Sequence, residues 1–304
     1  MIKSTAIQAE TRDAGQLSRI YYRSAKVNGI NLFYREAGPE NAPAIVLLHG
    51  FPSSSHMFRN LIPALATRYH VIAPDYPGFG YSEAPAADKF AYTFENLAGI
   101  VNSFLEQKGI AQYSIYIQDY GSPVGFRLAT AHPERVQAII SQNGNAYEEG
   151  LSAFWSEYLT PYWKERNAGT EEKVRDLLSL EATKMQYLTG VRNAEQISPD
   201  AWLHDQALLD RAGNQEIQMD LFFDYRKNLP LYPAWHEYLR TKRPPVLLVW
   251  GKNDQIFIEP GARAFLRDQP DAELHLLDTG HFALEEDAET IGSLMLDFLL
   301  RNVK

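Results

Sequence analysis

The chain has 304 residues, 45% of them hydrophobic, which is enough to bury a large core, and α/β architectures of this length often fold as one domain carrying an insertion. A formal net charge of −9, from 38 acidic against 29 basic side chains, argues against nucleic acid or an anionic membrane surface as a partner and reads as a solubility feature. Zero cysteines exclude disulfides and thiolate metal sites. No stretch reaches the roughly 20 apolar residues that cross a bilayer, and the polar start of the chain lacks the apolar segment of a secretory signal, so a cytoplasmic location is expected.

Residues 1 to 18 read as a loosely ordered arm. Two strand-like stretches follow, Ile20 to Val27 and Ile30 to Ala37, joined at Asn28-Gly29, a strong two-residue hairpin signal. Ala44 to His49 is a continuous apolar run, the pattern of a strand covered on both faces. The spacing of Leu61, Ile62, Leu65 and Ala66 predicts a helix over Phe58 to Tyr69, and Val71 to Ala73 reads as a strand. Phe94 to Lys108 is a helical pattern with Gly109 where a C-terminal cap belongs. An apolar strand then meets Asp119, a helix runs on to His132, and Val136 to Ser141 is a further strand.

From about Asn145 to Lys242 aromatics and helical periods replace strands. Strand patterns return at Val246 to Trp250 and Ala272 to Leu277, and a last helix covers Asp287 to Leu300. Such alternation predicts an α/β fold with a mostly parallel sheet. The chain divides into an arm (1–18), a core (19–144), a helical cap (145–242) and the rest of the core (243–304). The cap is expected over the strand ends, where open α/β sheets bind ligands.

The chemistry centres on Ile117-Gln118-Asp119-Tyr120-Gly121, where a β-branched strand, a sharp turn and a helix place an aspartate at the apex. A carboxylate with an ordinary pKa of about 4 is an anion at neutral pH and needs no base before it attacks. At an acyl carbon it would give a reactive anhydride. It suits displacement at a saturated carbon instead, forming an alkyl ester that a second step hydrolyses. Epoxides and carbon–halogen bonds are the matching electrophiles.

Asp254, just past the strand Val246 to Trp250, and His281, just past the next strand, complete the order nucleophile, acid, histidine. His281 would deprotonate the water that attacks the ester, with Asp254 holding its tautomer and stabilising its charged form. The backbone N–H groups of Phe51, in His49-Gly50-Phe51-Pro52, and of Tyr120 are candidates for an oxyanion hole. His49 reads as structural.

Together these segments, with Asp75-Tyr76-Pro77-Gly78-Phe79-Gly80-Tyr81-Ser82, resemble the α/β-hydrolase superfamily, in its aspartate-nucleophile branch of epoxide hydrolases and haloalkane dehalogenases. The resemblance implies an eight-stranded, mostly parallel sheet with a helical cap after the sixth strand. It implies no cofactor and no metal, only a small apolar or moderately polar organic substrate and water, in a monomer or homodimer.

Epoxide hydrolases commonly carry lid tyrosines that protonate the departing alkoxide. Tyr225 in Tyr225-Arg226-Lys227-Asn228 looks like one of them, although Asp224 replaces the usual aromatic and Lys227 is inserted; Tyr158 or Tyr162 could be the other. Haloalkane dehalogenases usually cradle the halide with a tryptophan after the nucleophile and a second donor. Here those positions are Tyr120 and Phe51, which leaves Trp155, Trp163 and Trp202 as lid candidates. Epoxide hydrolysis is therefore the leading expectation, dehalogenation the second and a low-turnover binding homologue the third. No serine occupies the apex, and Glu148-Glu149 reads as solvent-facing.

Overall fold

The computed structural model describes residues 19–303, so the expected arm at 1–18 lies outside the described residues. Eight strands form one open sheet: β1 Tyr21–Val27, β2 Ile30–Ala37, β3 Ala44–Leu48, β4 His70–Pro74, β5 Tyr113–Ile117, β6 Val136–Ser141, β7 Val246–Gly251 and β8 Glu273–Leu277. Their spatial order is β1-β2-β4-β3-β5-β6-β7-β8, with β2 antiparallel to β1 and to β4 and all other pairs parallel. Asn28 (φ 49°) and Gly29 (φ 89°) make the β1–β2 turn, as that dipeptide predicts.

The apolar runs are explained by cover on both faces. In β3, Val46 and Leu48 face one core cluster with the helices Phe94–Gln107 and Gly121–Ala131, while Ile45 and Leu47 face a second cluster with Ile62, Ile291 and Met295. The helix expected over Phe58 to Tyr69 is instead a 3-10 turn at Ser55–Phe58 and a short α1 at Ile62–Leu65. Pro63 accounts for the difference: it has no N–H to donate and fits only the first turn of a helix, so the helix begins there. The helix α2 (Phe94–Gln107) ends as expected, with Gly109 at φ 70° and the Ile110 N–H bonded to the Leu105 carbonyl. The helix α3 (Gly121–Ala131) follows β5 directly.

Between β6 and β7 the described chain is helical: α4 Thr160–Lys164, α5 Ala168–Arg175, α6 Leu180–Leu188, α7 Pro199–Leu209, α8 Asn214–Asp224 and α9 Tyr232–Lys242, preceded by a π-helical turn at Trp155–Leu159. Side chains tie this insertion to the sheet domain. Asp224 accepts from the Phe94 N–H at the start of α2 (2.9 Å), Arg127 donates to Asn228 (2.8 Å), and Asn253 donates to the Gly190 carbonyl (2.9 Å). The helices α10 Glu259–Asp268 and α11 Leu284–Asn302 complete the sheet's cover, and no helix among the described residues is long and apolar enough to cross a membrane.

The turn after β5 depends on a close approach that only glycine allows. A Cβ on Gly121 would lie 2.1 Å from the Leu48 carbonyl oxygen, a backbone atom of the central strand that cannot swing away. Gly121→Ala is expected to destabilise the fold by about 3 kcal/mol, measured by denaturant unfolding, because β3 or α3 must shift to admit the methyl.

Candidate active site

β5 delivers Asp119 to the apex of its turn in a left-handed conformation, φ 49°, which is strained for a residue with a side chain. The side chain is 5% exposed and borders a cavity. Its Oδ1 accepts the Phe51 N–H at 2.6 Å, and the Tyr120 N–H also bonds the carboxylate. Both expected backbone donors therefore converge on this one group. The Phe51–Pro52 peptide bond beside it is cis.

Burial raises the Asp119 carboxyl from its ordinary value to about 6, against the opposing pull of the His281 charge and the two N–H groups. The sequence implied an ordinary carboxylate. The folded chain gives a costlier anion and therefore a more reactive one, since it is less well solvated than in water.

His281, buried at 3% exposure, lies past β8, and its Nδ1 is 2.8 Å from Asp254 Oδ2. Burial lowers its basicity, but the charge and hydrogen bond of Asp254, and then Asp119, more than reverse this and raise its pKa. Asp254 also accepts from Asn143 Nδ2 (2.8 Å) and the Ile256 N–H (2.7 Å), so both of its oxygens are held.

Three residues that the sequence did not single out complete this network. Asn143, at φ 49°, takes the Gly251 N–H on its Oδ1 (2.8 Å) and so ties the end of β6 to the end of β7. Gln142 donates to Asn143 and to the His281 carbonyl (2.7 and 2.9 Å). Gln118 places its Nε2 2.8 Å from His281 Nε2. Only their polarity at the ends of buried strands could have marked them. His49 accepts the Tyr76 N–H (3.2 Å) and is held neutral by burial, in keeping with a structural role.

The cavity is narrow, about 30 Å³ in volume. Its floor is Phe51, Asp119 and Tyr120, and its walls come from the insertion: Phe154, Trp155, Leu159, Leu177, Ala182, Met185, Gln186 and Phe222, with Ile256 from the core. The π-helical turn sets Trp155 and Leu159 on the same wall. Trp155, expected as a lid candidate, lines this cavity, but its indole N–H already donates to the Ile256 carbonyl (2.9 Å).

The expected lid tyrosines separate. Tyr225 is buried against Trp155 (ring centroids 4.5 Å apart) and Tyr120 (6.1 Å), and its pKa is raised by burial and, more weakly, by Tyr232 and the Asp119 charge. It stands behind the cavity wall. Tyr162 is not brought to the cavity: its hydroxyl donates to the Met219 carbonyl (3.1 Å), which makes it a packing residue inside the insertion. Trp163 donates to the Phe222 carbonyl (2.7 Å), Tyr158 stacks on Phe154, and Trp202 packs in the second core cluster. The Tyr120 hydroxyl is buried without a hydrogen-bond partner among the described residues. Ser122 turns away to the Asn145 carbonyl, and Glu149 pairs with Arg267 on the surface.

This fold and strand order belong with a known family: residues 43–288 match the family described as the alpha/beta hydrolase fold, and the chain is a member of it. It is similar to the uncharacterized hydrolase YNR064C of Saccharomyces cerevisiae, 43% identical over 293 residues that cover 94% of this chain and all of that protein. It is 36% identical over 288 residues to a haloalkane dehalogenase of Psychrobacter cryohalolentis, covering 90% of this chain and 88% of that one. Among solved structures it resembles the epoxide hydrolase VrEH1 from Vigna radiata, with a TM-score of 0.75 and 22% identity over 93% of this chain and 98% of that one.

Proposed function

We propose that this hydrolase opens epoxides through a covalent ester on Asp119. In the first step an Asp119 oxygen attacks an epoxide carbon, the ring C–O bond breaks, and the alkoxide takes a proton from a phenol. In the second, water attacks the ester carbon Cγ and gives a proton to His281 Nε2, while the N–H groups of Phe51 and Tyr120 hold the oxyanion. Collapse expels the diol oxygen, which takes the proton from His281, and the second water proton restores the phenol. Asp254 orients His281 throughout. The substrate is a small, mainly apolar organic molecule, in keeping with the cavity walls.

The observation that carries the choice of epoxide is the set of donors around Asp119. A halide needs N–H donors and no proton, yet the indole N–H groups of Trp155 and Trp163 already serve backbone carbonyls and Phe51 has no side-chain donor. Tyr120 borders the carboxylate with a buried hydroxyl that has no hydrogen-bond partner among the described residues, and a phenol can release the proton that an alkoxide requires.

Dehalogenation is the second reading, favoured by the 36% identity to a haloalkane dehalogenase over most of both chains. A panel of aryl and alkyl epoxides and of chloro- and bromoalkanes separates the two. Diol formation from epoxides with at least about tenfold lower kcat/KM for every haloalkane is the expected result. Halide release as the faster reaction would overturn the choice of epoxide.

A further inference from the structure

One group beside the reacting atoms has no part in the scheme above. Gln118 is fully buried, directly before Asp119, and the two ends of its amide meet different things. Nε2 is 2.8 Å from His281 Nε2, whereas Oε1 is buried with no hydrogen-bond partner among the described residues. The point where a Cβ on Gly50 would stand lies 2.6 Å from Gln118 Oε1 and 2.5 Å from Asp119 Oδ1, so the free end of the amide and the carboxylate both border the same point over Gly50. The amide therefore spans the gap between the histidine and the group it must act on.

His281 Nδ1 is committed to Asp254, which leaves Nε2 as the nitrogen able to accept a proton from water. In the free enzyme Gln118 occupies that nitrogen. A primary amide donates at one end and accepts at the other, so it can meet either an imidazole or an imidazolium. Water attacking the ester has two O–H bonds to place, and only one of them goes to the base.

We propose that Gln118 positions the hydrolytic water of the second step: its Nε2 gives way at His281 Nε2, and the water gives one O–H to that nitrogen and the other to Gln118 Oε1, which leaves an oxygen lone pair aimed at Cγ of the Asp119 ester. Bond formation from water oxygen to Cγ then accompanies transfer of the first proton to Nε2, and the second proton stays on oxygen. Gln118 has no task in the first step, where the carboxylate is the attacking group. The inference rests on the ester reading given under the proposed function.

Rapid-quench single turnover with styrene oxide, followed by intact-protein mass, resolves the two steps. Gln118→Met is expected to form the ester within about threefold of the wild-type rate and to hydrolyse it about 10- to 100-fold more slowly, the scale of effect seen when a reactant loses its alignment. Gln118→Glu gives an independent readout should the methionine variant fold poorly. The charged groups facing His281 are Asp254, from the loop after β7, and Asp119, from the turn after β5. In the ester state Asp254 is the remaining anion against His281, and a carboxylate added at 118 would hold the proton there, moving the pH midpoint of ester hydrolysis upward by about one unit. Unchanged hydrolysis in the methionine variant, equal slowing of both steps, or an unmoved midpoint in the glutamate variant would overturn the role of Gln118 while leaving the ester intact. Absence of an ester in the wild type and in His281→Gln alike would overturn the ester reading, and this proposal with it.

Discussion

Mixing the His281→Gln variant with an epoxide is expected to stop the reaction halfway, with the alkyl group retained on the peptide that carries Asp119 and multiple-turnover kcat reduced by about 10³, the range of a lost general base. The first step does not use the imidazole as a base, so the burst of ester should form and then persist. In the proposed mechanism the charges around His281 keep the wild type from stalling at the ester. Asp254 and Asp119 both favour its protonated form, which cannot accept a proton. Alkylation turns Asp119 into a neutral ester and removes one of those two anions, so a larger share of His281 is neutral and able to accept a proton in the state that needs it. Intact mass and peptide mapping after quenching detect the adduct. In ¹⁸O-water, single turnover of the wild type should leave label in the Asp119 carboxylate. A His281→Gln variant that turns over normally would remove His281 from the mechanism.

The second large effect separates activity from stability at one residue. Asp119→Gly should abolish ester formation, since no oxygen remains at the apex, and at the same time raise stability by about 2 kcal/mol at pH 8. Two strains disappear together: the left-handed backbone, which glycine adopts freely, and the buried anion. The pH dependence follows from the sign of the shift. The carboxyl titrates near 6 in the folded protein, above its ordinary value of 3.8, so the folded state holds a proton that the unfolded chain has lost between those pH values. Charging Asp119 therefore weakens the wild type as pH rises from about 4 to about 6, after which the penalty is constant. The gain in the glycine variant should be largest above pH 6 and shrink on acidification, as measured by chemical denaturation at several pH values. In the wild type the rate of ester formation should fall as pH drops through about 6, because the protonated acid does not attack.

Which features could be read in advance follows from how local their causes are. The hairpin at Asn28-Gly29 and the cap at Gly109 are decided within a few residues by backbone conformations that few side chains tolerate. The turn at Asp119 is similarly local, and Asp254 and His281 were recognisable because each follows an apolar strand at its carboxyl end. The helix misjudged at Phe58 to Tyr69 had the right apolar spacing, and Pro63 overrode it.

The supports of the site were hidden for a different reason. Gln118 meets His281 across 163 residues, and Asn143 meets Asp254 across 111. Neither glutamine nor asparagine carries a local signal that separates a network member from a surface amide. In the insertion, tyrosines and tryptophans are too many for type alone to choose among them. Packing decided that Trp155 borders the cavity while Tyr162 bonds to Met219.

By itself the amino-acid order determined the α/β alternation, the turn that lifts an acid from the strand end, and the acid and histidine that come after it, because hydrophobic period and turn chemistry act between near neighbours. Only the folded chain decided how strongly Asp119 holds its proton, which donors remain free around it and what lies against His281 Nε2. Those properties depend on burial and on distances between residues far apart in sequence, and both come into being when the sheet and the helical insertion close on one another.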